Sequence, residues 1–217
     1  CPSPERYMEE YHCDAEHVYA VTLSAELSGS YNSAVLGKNL YEEEYGEKDI
    51  YVFNSRSASV GETLIGLKIA ECEEKGMSFQ KVIETVESSI EEQHTYFVLE
   101  TLDTLKKNGR LKGLKAVVAT ALNVKPVMGS TPEGSIQQLS QARGIKKGLA
   151  KMGDEVPANM KNTQEKILAI SHCNCEERAK AVRDMLLERA SFKDVIILDT
   201  AGISSMYAAD GGVIVVV

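Results

Sequence analysis

Val18-Tyr19-Ala20-Val21-Thr22-Leu23, running on into Ser24-Ala25-Glu26-Leu27-Ser28-Gly29-Ser30-Tyr31, is the stretch from which the fold is read. The first six residues are uncharged and largely apolar, which is how a strand buried on both faces reads. The second part gathers Ser24, Ser28 and Ser30 around a glycine and enters a helical pattern from about Ser30 to Glu44. A buried strand that turns into a helix is the repeating unit of α/β proteins, and their ligands collect outside the C-terminal ends of the strands. Backbone N–H groups at a helix start favour an anion there. The three serines are therefore candidate anion-binding hydroxyls, and a helix cap is the other role open to Ser28 or Ser30.

Outward from this stretch the same alternation continues. Pro2-Ser3-Pro4-Glu5 opens a helix to about His12, with Ser3 as N-cap and Pro4 at its first position. A strand over Ile50–Phe53 follows, then amphipathic helices over Ser59–Lys75 and Ser78–Gln93, punctuated by Gly76 and with Ser78 as a cap. Strand character resumes at Thr95–Leu99, and a domain boundary is expected just before it. Residues 1–93 then form what remains of an N-terminal α/β domain, and residues 94–217 a C-terminal one.

In the second half, short helices are expected near Leu102–Lys107 and Leu114–Leu122. Val124–Gly129 and Ser135–Ser140 read as a hairpin around Thr131-Pro132-Glu133-Gly134. Gly144–Met152 should be helical, and the polar stretch Asp154–Glu165, containing Pro157, a mobile linker. A strand (Ile167–Ser171), a helix (Glu176–Ala190) and strands at Val195–Leu198 and Val213–Val217 close the chain. The class is α/β, with parallel or mixed sheets flanked by helices.

The 217 residues carry a net charge of −8 and no basic block, which argues against nucleic acid or an anionic membrane surface as partner. The longest apolar run, Val213–Val217, is far short of the roughly 18 residues of a membrane span, so stable membrane insertion is not expected. Five scattered cysteines suit a reducing, cytoplasmic setting better than a disulfide framework. Cys1 stands where a start methionine would, with no leader pattern, so a trimmed or partial chain is expected.

His172-Cys173-Asn174-Cys175, with His12 and Cys13, invites a metal reading. The set is thin for zinc, and a local structural role is the better expectation. No Gly-rich phosphate loop, nucleophile elbow or His-Glu helix motif is found, so no catalytic residue, metal or cofactor is assigned.

Five motifs, in order, carry a resemblance. They are Cys1-Pro2-Ser3-Pro4, Leu23–Tyr31, Leu105-Lys106-Lys107-Asn108-Gly109-Arg110-Leu111, Leu122-Asn123-Val124-Lys125-Pro126-Val127, and Ala142-Arg143-Gly144-Ile145-Lys146-Lys147. Together they resemble the FakB-like fatty-acid-binding proteins of the DegV family. The first matches the tail of a Thr-Ser-Gln-Pro-Ser segment and the second a Leu-Ser-Ser-x-Leu-Ser-Gly-Thr-Tyr segment, with Ala25 in place of the second serine.

The resemblance implies a two-domain carrier that holds one long-chain fatty acid between its domains, its carboxylate on hydroxyl side chains. It further implies a separate fatty-acid kinase as partner, and no catalysis by the carrier alone. Carried over by position, Ser28 and Ser24 contact the carboxylate, with Ser30 beside them; a threonine partner would lie upstream of Cys1.

Arg143, with Lys146 and Lys147 close by, becomes a candidate contact for the kinase or the transferred phosphate; ordinary solvated charge at a helix start is the alternative. Arg110 is expected to bond backbone carbonyls in a turn. The family's closing His-x-Gly-x-Gly segment is absent, and Tyr207 or Asp210 stands in its region. Rival readings are a small-carboxylate or polyol kinase subunit or hydrolase on a similar scaffold, and a lipid-sensing regulatory protein.

Overall fold

A computed structural model describes residues 1–111 and 123–217, so the helix expected over Leu114–Leu122 lies outside the described residues. By internal contacts these fall into two units. The first comprises Cys1–Ala58, Glu62–Glu92 and Pro132–Ser135; the second comprises Ser59–Gly61, Gln93–Thr131 and Ile136–Val217.

The first unit begins with helix α1 (Pro4–Tyr11), where Ser3 Oγ accepts a hydrogen bond from Arg6 N at 3.3 Å, as an N-cap should. Strands β1 (His17–Thr22) and β2 (Asp49–Asn54) pair in parallel, from His17 opposite Asp49 to Thr22 opposite Asn54. A parallel pair requires a long crossover, and helix α2 (Ser30–Tyr45) provides it.

Side chains alternate across this pair. Val18, Ala20, Ile50 and Val52 meet Tyr11, Ala34 and Tyr41 on one face. On the other, Tyr19, Val21, Tyr51 and Phe53 meet Ile65, Ile69 and Cys72 of α3 (Val60–Glu74) and Val82, Val86 and Ile90 of α4 (Phe79–Glu91). Both strands are covered on both faces, which explains why they read as unbroken apolar runs. Ser78 holds the N-cap position of α4, yet its side chain makes no capping bond.

The seating of α1 on α2 is unusually close. The buried face of α2 consists of Ser30, Ala34, Gly37 and Tyr41. A Cβ at Gly37 would lie 2.6 Å from the Pro4 carbonyl oxygen and 2.7 Å from Tyr7 Cβ, so only glycine permits this approach. The Tyr11 hydroxyl donates to the Ala34 carbonyl at 3.1 Å and fixes the register of the two helices.

The second unit is built on a six-stranded mixed sheet with the order β5-β4-β3-β8-β6-β7. Its strands are β3 (Thr95–Val98), β4 (Val124–Ser130), β5 (Ile136–Arg143), β6 (Ile167–His172), β7 (Asp194–Asp199) and β8 (Val213–Val216). Only β6 and β7 are parallel, joined through α7 (Glu176–Leu187); the other pairings are antiparallel. The hairpin of β4 and β5 is longer on both arms than the sequence implied. Short helices α5 (Asp103–Lys107) and α8 (Gly202–Ala208) also belong to the unit, α8 falling in a stretch where none was expected.

Helix α6 (Ile145–Ala158) corrects the linker expected from Asp154. Leu149, Met152 and Val156 continue one buried stripe into the core beside Leu168, Ile170, Val182 and Leu186, so stopping the helix early would strip that core. Pro157 is tolerated because it lies one residue from the helix end, where its missing N–H costs a single terminal bond. Gly153 belongs to the same contact: a Cβ there would lie 2.8 Å from the Met185 sulfur.

Candidate functional site

Beyond Thr22 the chain turns through the serine loop into α2, and the three hydroxyls have different surroundings. Ser24 is fully buried. Its N–H donates to the Ser57 carbonyl at 2.8 Å, and its carbonyl accepts from Leu27 N and Ser28 N. Its Oγ donates to the Gly134 carbonyl at 2.9 Å and accepts from Glu26 N at 3.2 Å. The hydroxyl proton is thereby committed, and a lone pair is of no use to a carboxylate, which only accepts. The geometry gives Ser24 the work of holding the Gly134 turn.

Ser28 is half-buried, its Oγ 3.0 Å from Ser30 Oγ and accepting from Ser30 N at 3.2 Å. Ser30 is the first residue of α2 and is buried; Gly29 occupies the N-cap position and brings no side chain to cap the helix. Ser28 thus serves the first N–H of the helix from one position further out, and its hydroxyl lies where the helix start favours an anion. Cys1 Sγ would be 3.9 Å from a Cβ on Gly29, so the opening motif of the chain and the serine motif meet in space.

Tyr7 of α1 packs with Tyr11 and Ala34. Burial pushes the Tyr7 phenol up and the nearby charge of Glu62 adds to this, while the neighbouring Ser30 hydroxyl opposes them.

Sequence reasoning missed the partner loop that follows β2. Asn54 Oδ1 accepts from Ala25 N at 3.0 Å and from Arg56 N at 3.2 Å, tying the two loops together. Ser55 Oγ donates to the Ser57 carbonyl and accepts from Ser57 N, both at 3.1 Å. Arg56 and Ser59 adopt left-handed backbone, with φ of 49° and 59°. The signal was available: Asn54-Ser55-Arg56-Ser57 leaves a strand parallel to β1 at the same sheet edge, where ligands of α/β proteins gather.

In the second unit, Tyr207 of α8 packs with Phe97, Leu99, Leu105 and Met128, and the Arg110 guanidinium lies 5.8 Å from its ring centre. Arg110 also donates to the Asn108 carbonyl at 2.5 Å, in keeping with the turn role expected for it. Asp210 is exposed in the turn between α8 and β8, where Ala209 and Gly211 have φ of 55° and 84°.

That turn is held by a charged cluster. Arg178 donates to the Gly211 carbonyl and to Glu100 Oε1, the latter at 3.0 Å. Lys125 donates to the Glu100 carbonyl and pairs with Oε2, both at 2.7 Å. Burial works to raise the Glu100 carboxyl, but the bonds and charges of Lys125 and Arg178 outweigh it and hold the group below the ordinary carboxylate range.

Arg143 and Lys146 are exposed at the end of β5 and in the first turn of α6. Two like charges at a helix start oppose its dipole, so this spot is not arranged for helix stability. His172 is buried, its Nδ1 3.4 Å from Cys175 N and 3.3 Å from Asp199 Oδ1; Cys175 is the N-cap of α7. His12 lies 4.6 Å from the Tyr45 ring. Among the described residues no group of three or more His, Cys, Asp or Glu is placed to hold a metal ion. No helix of the described residues is long and apolar enough to cross a membrane.

Two sheets flanked by helices, with a hydroxyl-rich start to α2, define the class as α/β. The profile of the family described as "Uncharacterised protein, DegV family" matches residues 1–217, and the chain belongs to that family. A DegV domain-containing protein of Streptococcus pneumoniae is 34% identical over 215 residues, covering 99% of this chain and 75% of the relative.

Among solved structures, a DegV-family protein from Ruminococcus gnavus, refined with vaccenic acid, superposes with a TM-score of 0.98 at 70% identity. The match covers 100% of this chain and 77% of that one. The Streptococcus pneumoniae Fatty Acid Kinase (Fak) B3 protein, loaded with linoleic acid, gives 0.89 at 33% identity, covering 100% and 76%. A DegV-family protein from Eubacterium eligens, loaded with heptadecanoic acid, gives 0.90 at 26% identity, covering 100% and 77%.

Proposed function

We propose that this protein binds one long-chain fatty acid, with Ser28 donating to the carboxylate, and presents that carboxylate to a separate fatty-acid kinase. The observation that carries the reading is the half-buried Ser28 hydroxyl beside the start of α2, where Gly29 brings no side chain, in a chain 70% identical to a protein refined with vaccenic acid. The physics is adequate. Each buried methylene contributes about 0.8 kcal/mol, so the acyl chain supplies most of the gross binding energy. The hydroxyl and the helix start need only orient the head group, and no charged clamp is required.

Phosphoryl transfer belongs to the partner in this reading. Support comes from the Fak B3 likeness, from the exposed Arg143 and Lys146 as a docking or phosphate-contact spot, and from the absence of a phosphate loop in the sequence. In this reading Tyr207 or Asp210 stands in for the family's histidine, and acyl-phosphate formation should be slower than in relatives that keep it.

The test is extraction of the purified full-length protein followed by lipid mass spectrometry. About one acyl chain per protein is the expected result; a sugar or nucleotide in its place refutes the reading. Addition of a bacterial fatty-acid kinase and ATP should then yield acyl phosphate, and its absence with bound lipid present removes the kinase half alone.

A further inference from the structure

Nearly every lysine and arginine of the first unit has a partner. Arg6, Lys38, Lys68, Lys75 and Lys81 pair with glutamates three or four residues away, and Lys48 donates to the Tyr11 carbonyl. Arg56 is the remaining cation of that unit, and among the described residues its guanidinium makes no hydrogen bond or ion pair. The residue is half-buried. A cation that gives up water without gaining a partner is costly, and an incoming anion would supply what is missing.

The root of this side chain is fixed beside the serine loop. Asn54 Oδ1 accepts from Arg56 N at 3.2 Å and from Ala25 N at 3.0 Å, so one amide oxygen holds the two segments together. The Gly134 turn closes over both: a Cβ there would lie 2.7 Å from Arg56 Cα and 2.4 Å from Ser24 Oγ. The left-handed φ of 49° at Arg56 costs free energy in a residue other than glycine, and such residues gather at binding and catalytic sites.

We propose that Arg56 is a binding residue for the phosphorylated head group, a cation held for the acyl phosphate beside hydroxyls that suffice for the carboxylate. The proposal rests on the fatty-acid and kinase reading and deepens it, because it gives the charge added by transfer a partner in the first unit. Asn54 ties Arg56 to Ala25 at the entry of the loop, whereas Ser28 stands at its exit into α2. The two residues therefore mark separate places for phosphate and carboxylate.

The chemistry of transfer calls for such a group. A carboxylate oxygen attacks the terminal phosphorus of ATP; the new O–P bond forms as the bond to the bridging oxygen breaks, and ADP leaves with that electron pair. The head group then passes from one negative charge to about two. A hydroxyl gains little from the added charge, whereas a guanidinium offers paired N–H donors that match phosphate oxygens. An interaction that strengthens as the phosphate arrives favours transfer over mere capture of the acid.

The test compares two ligands of equal chain length, vaccenic acid and vaccenyl phosphate, on the unaltered full-length protein and on Arg56→Gln. Vaccenyl phosphate carries the phosphate without the labile acyl bond. Arg56→Gln removes the charge and should weaken vaccenyl phosphate binding about tenfold, the lower end for a hydrogen bond to a charged group, while affinity for the acid stays within about twofold. Added salt should weaken the phosphate more than the acid in the unaltered protein, and this difference should vanish in Arg56→Gln.

Arg56→Asn, which accepts left-handed backbone readily, takes its place if Arg56→Gln unfolds. Equal losses for the two ligands, no loss for the phosphate, or an unaltered protein that binds the acid but not the phosphate each overturns the proposal. Failure of the unaltered protein to bind the acid at all overturns the fatty-acid reading and the proposal with it, so the two failures are distinguishable.

Discussion

The serine loop of the first unit and the turn between α8 and β8 in the second solve one problem by different means. Each is a short irregular segment that must present a polar group in a fixed place. The serine loop does it with neutral hydrogen bonds: Ser24, Asn54 and Ser55 satisfy backbone groups of their own and neighbouring loops. The later turn does it with charge, Glu100 gathering Lys125 and Arg178 while Arg178 grips the Gly211 carbonyl. Neutral bonds leave a loop open to an incoming anion. A charged clamp fixes a turn but commits its cations, so neither Lys125 nor Arg178 is spare for a ligand.

The largest effect that would break this contrast is expected at Gly134, whose carbonyl Ser24 holds. Its φ is +94°, and a Cβ would lie 2.4 Å from Ser24 Oγ and 2.7 Å from Arg56 Cα. Gly134→Ala should destabilise by about 2–5 kcal/mol, combining left-handed strain with overpacking. Urea unfolding measures it, and a cost under about 1 kcal/mol would mean that the loop yields easily and that Ser24 is no anchor.

Next comes the head group. Ser28→Ala should weaken fatty-acid binding by about 1.5–3 kcal/mol, the range for a hydrogen bond to a charged group. Tyr207→Phe should leave affinity nearly unchanged, because its ring is anchored among Phe97, Leu99 and Leu105. Equal losses in a competition assay would show that both regions hold the carboxylate. Tyr207→His and Asp210→His sharpen the same point, since one of them should raise the rate of acyl-phosphate formation with a fixed kinase.

Glu100→Gln should cost about 1 kcal/mol at neutral pH, a modest figure because the Glu100 side chain is 34% exposed and partly screened. The sign with pH follows from its lowered value. Stabilisation by Glu100 is present above the ordinary carboxylate value near 4.5 and lost as pH falls through the depressed folded value. The unaltered protein should therefore lose melting temperature more steeply on acidification than Glu100→Gln. Parallel pH curves would show that the turn does not depend on this charge.

The smallest effect is expected for Arg143→Ala, about 0.5 kcal/mol or less in stability, since the side chain is exposed and carries no part of the fold. Its turnover with kinase should fall all the same. Normal turnover with a large stability loss would reverse the assignment.

Legibility in the sequence followed the physics of each segment. The strand pair β1–β2 was readable because helices pack on both faces and no charge interrupts Val18–Leu23 or Ile50–Phe53. Ser3 and Pro4 marked the start of α1 because a cap and a fixed φ are local properties. Pro157 misled because its meaning depends on how far the helix continues, which is set by the core around Met152 and Val156. Helix α8 was not readable because Gly-Ile-Ser-Ser-Met-Tyr-Ala has neither a cap nor a period that separates it from a loop.

Within the candidate site, Ser28 and Ser24 could be named from the motif, but their different duties could not. Those depend on Gly134, 110 residues from Ser24 along the chain.

The bond from Ser24 to Gly134 also sets a schedule. Residues are added at roughly 5–20 per second during synthesis, so the acceptor for Ser24 is made about 5–20 seconds after the serine itself, and emerges from the ribosome later still. The strands and helices flanking the serine loop contact residues made before Gly134 and can form in that interval; the loop cannot close until the hairpin tip arrives. The serine-loop end of the first unit should therefore be the last part of it to mature on the ribosome. Stalled nascent chains ending before Gly134 should bind no fatty acid even where β1, α2 and β2 are already protected from proteolysis.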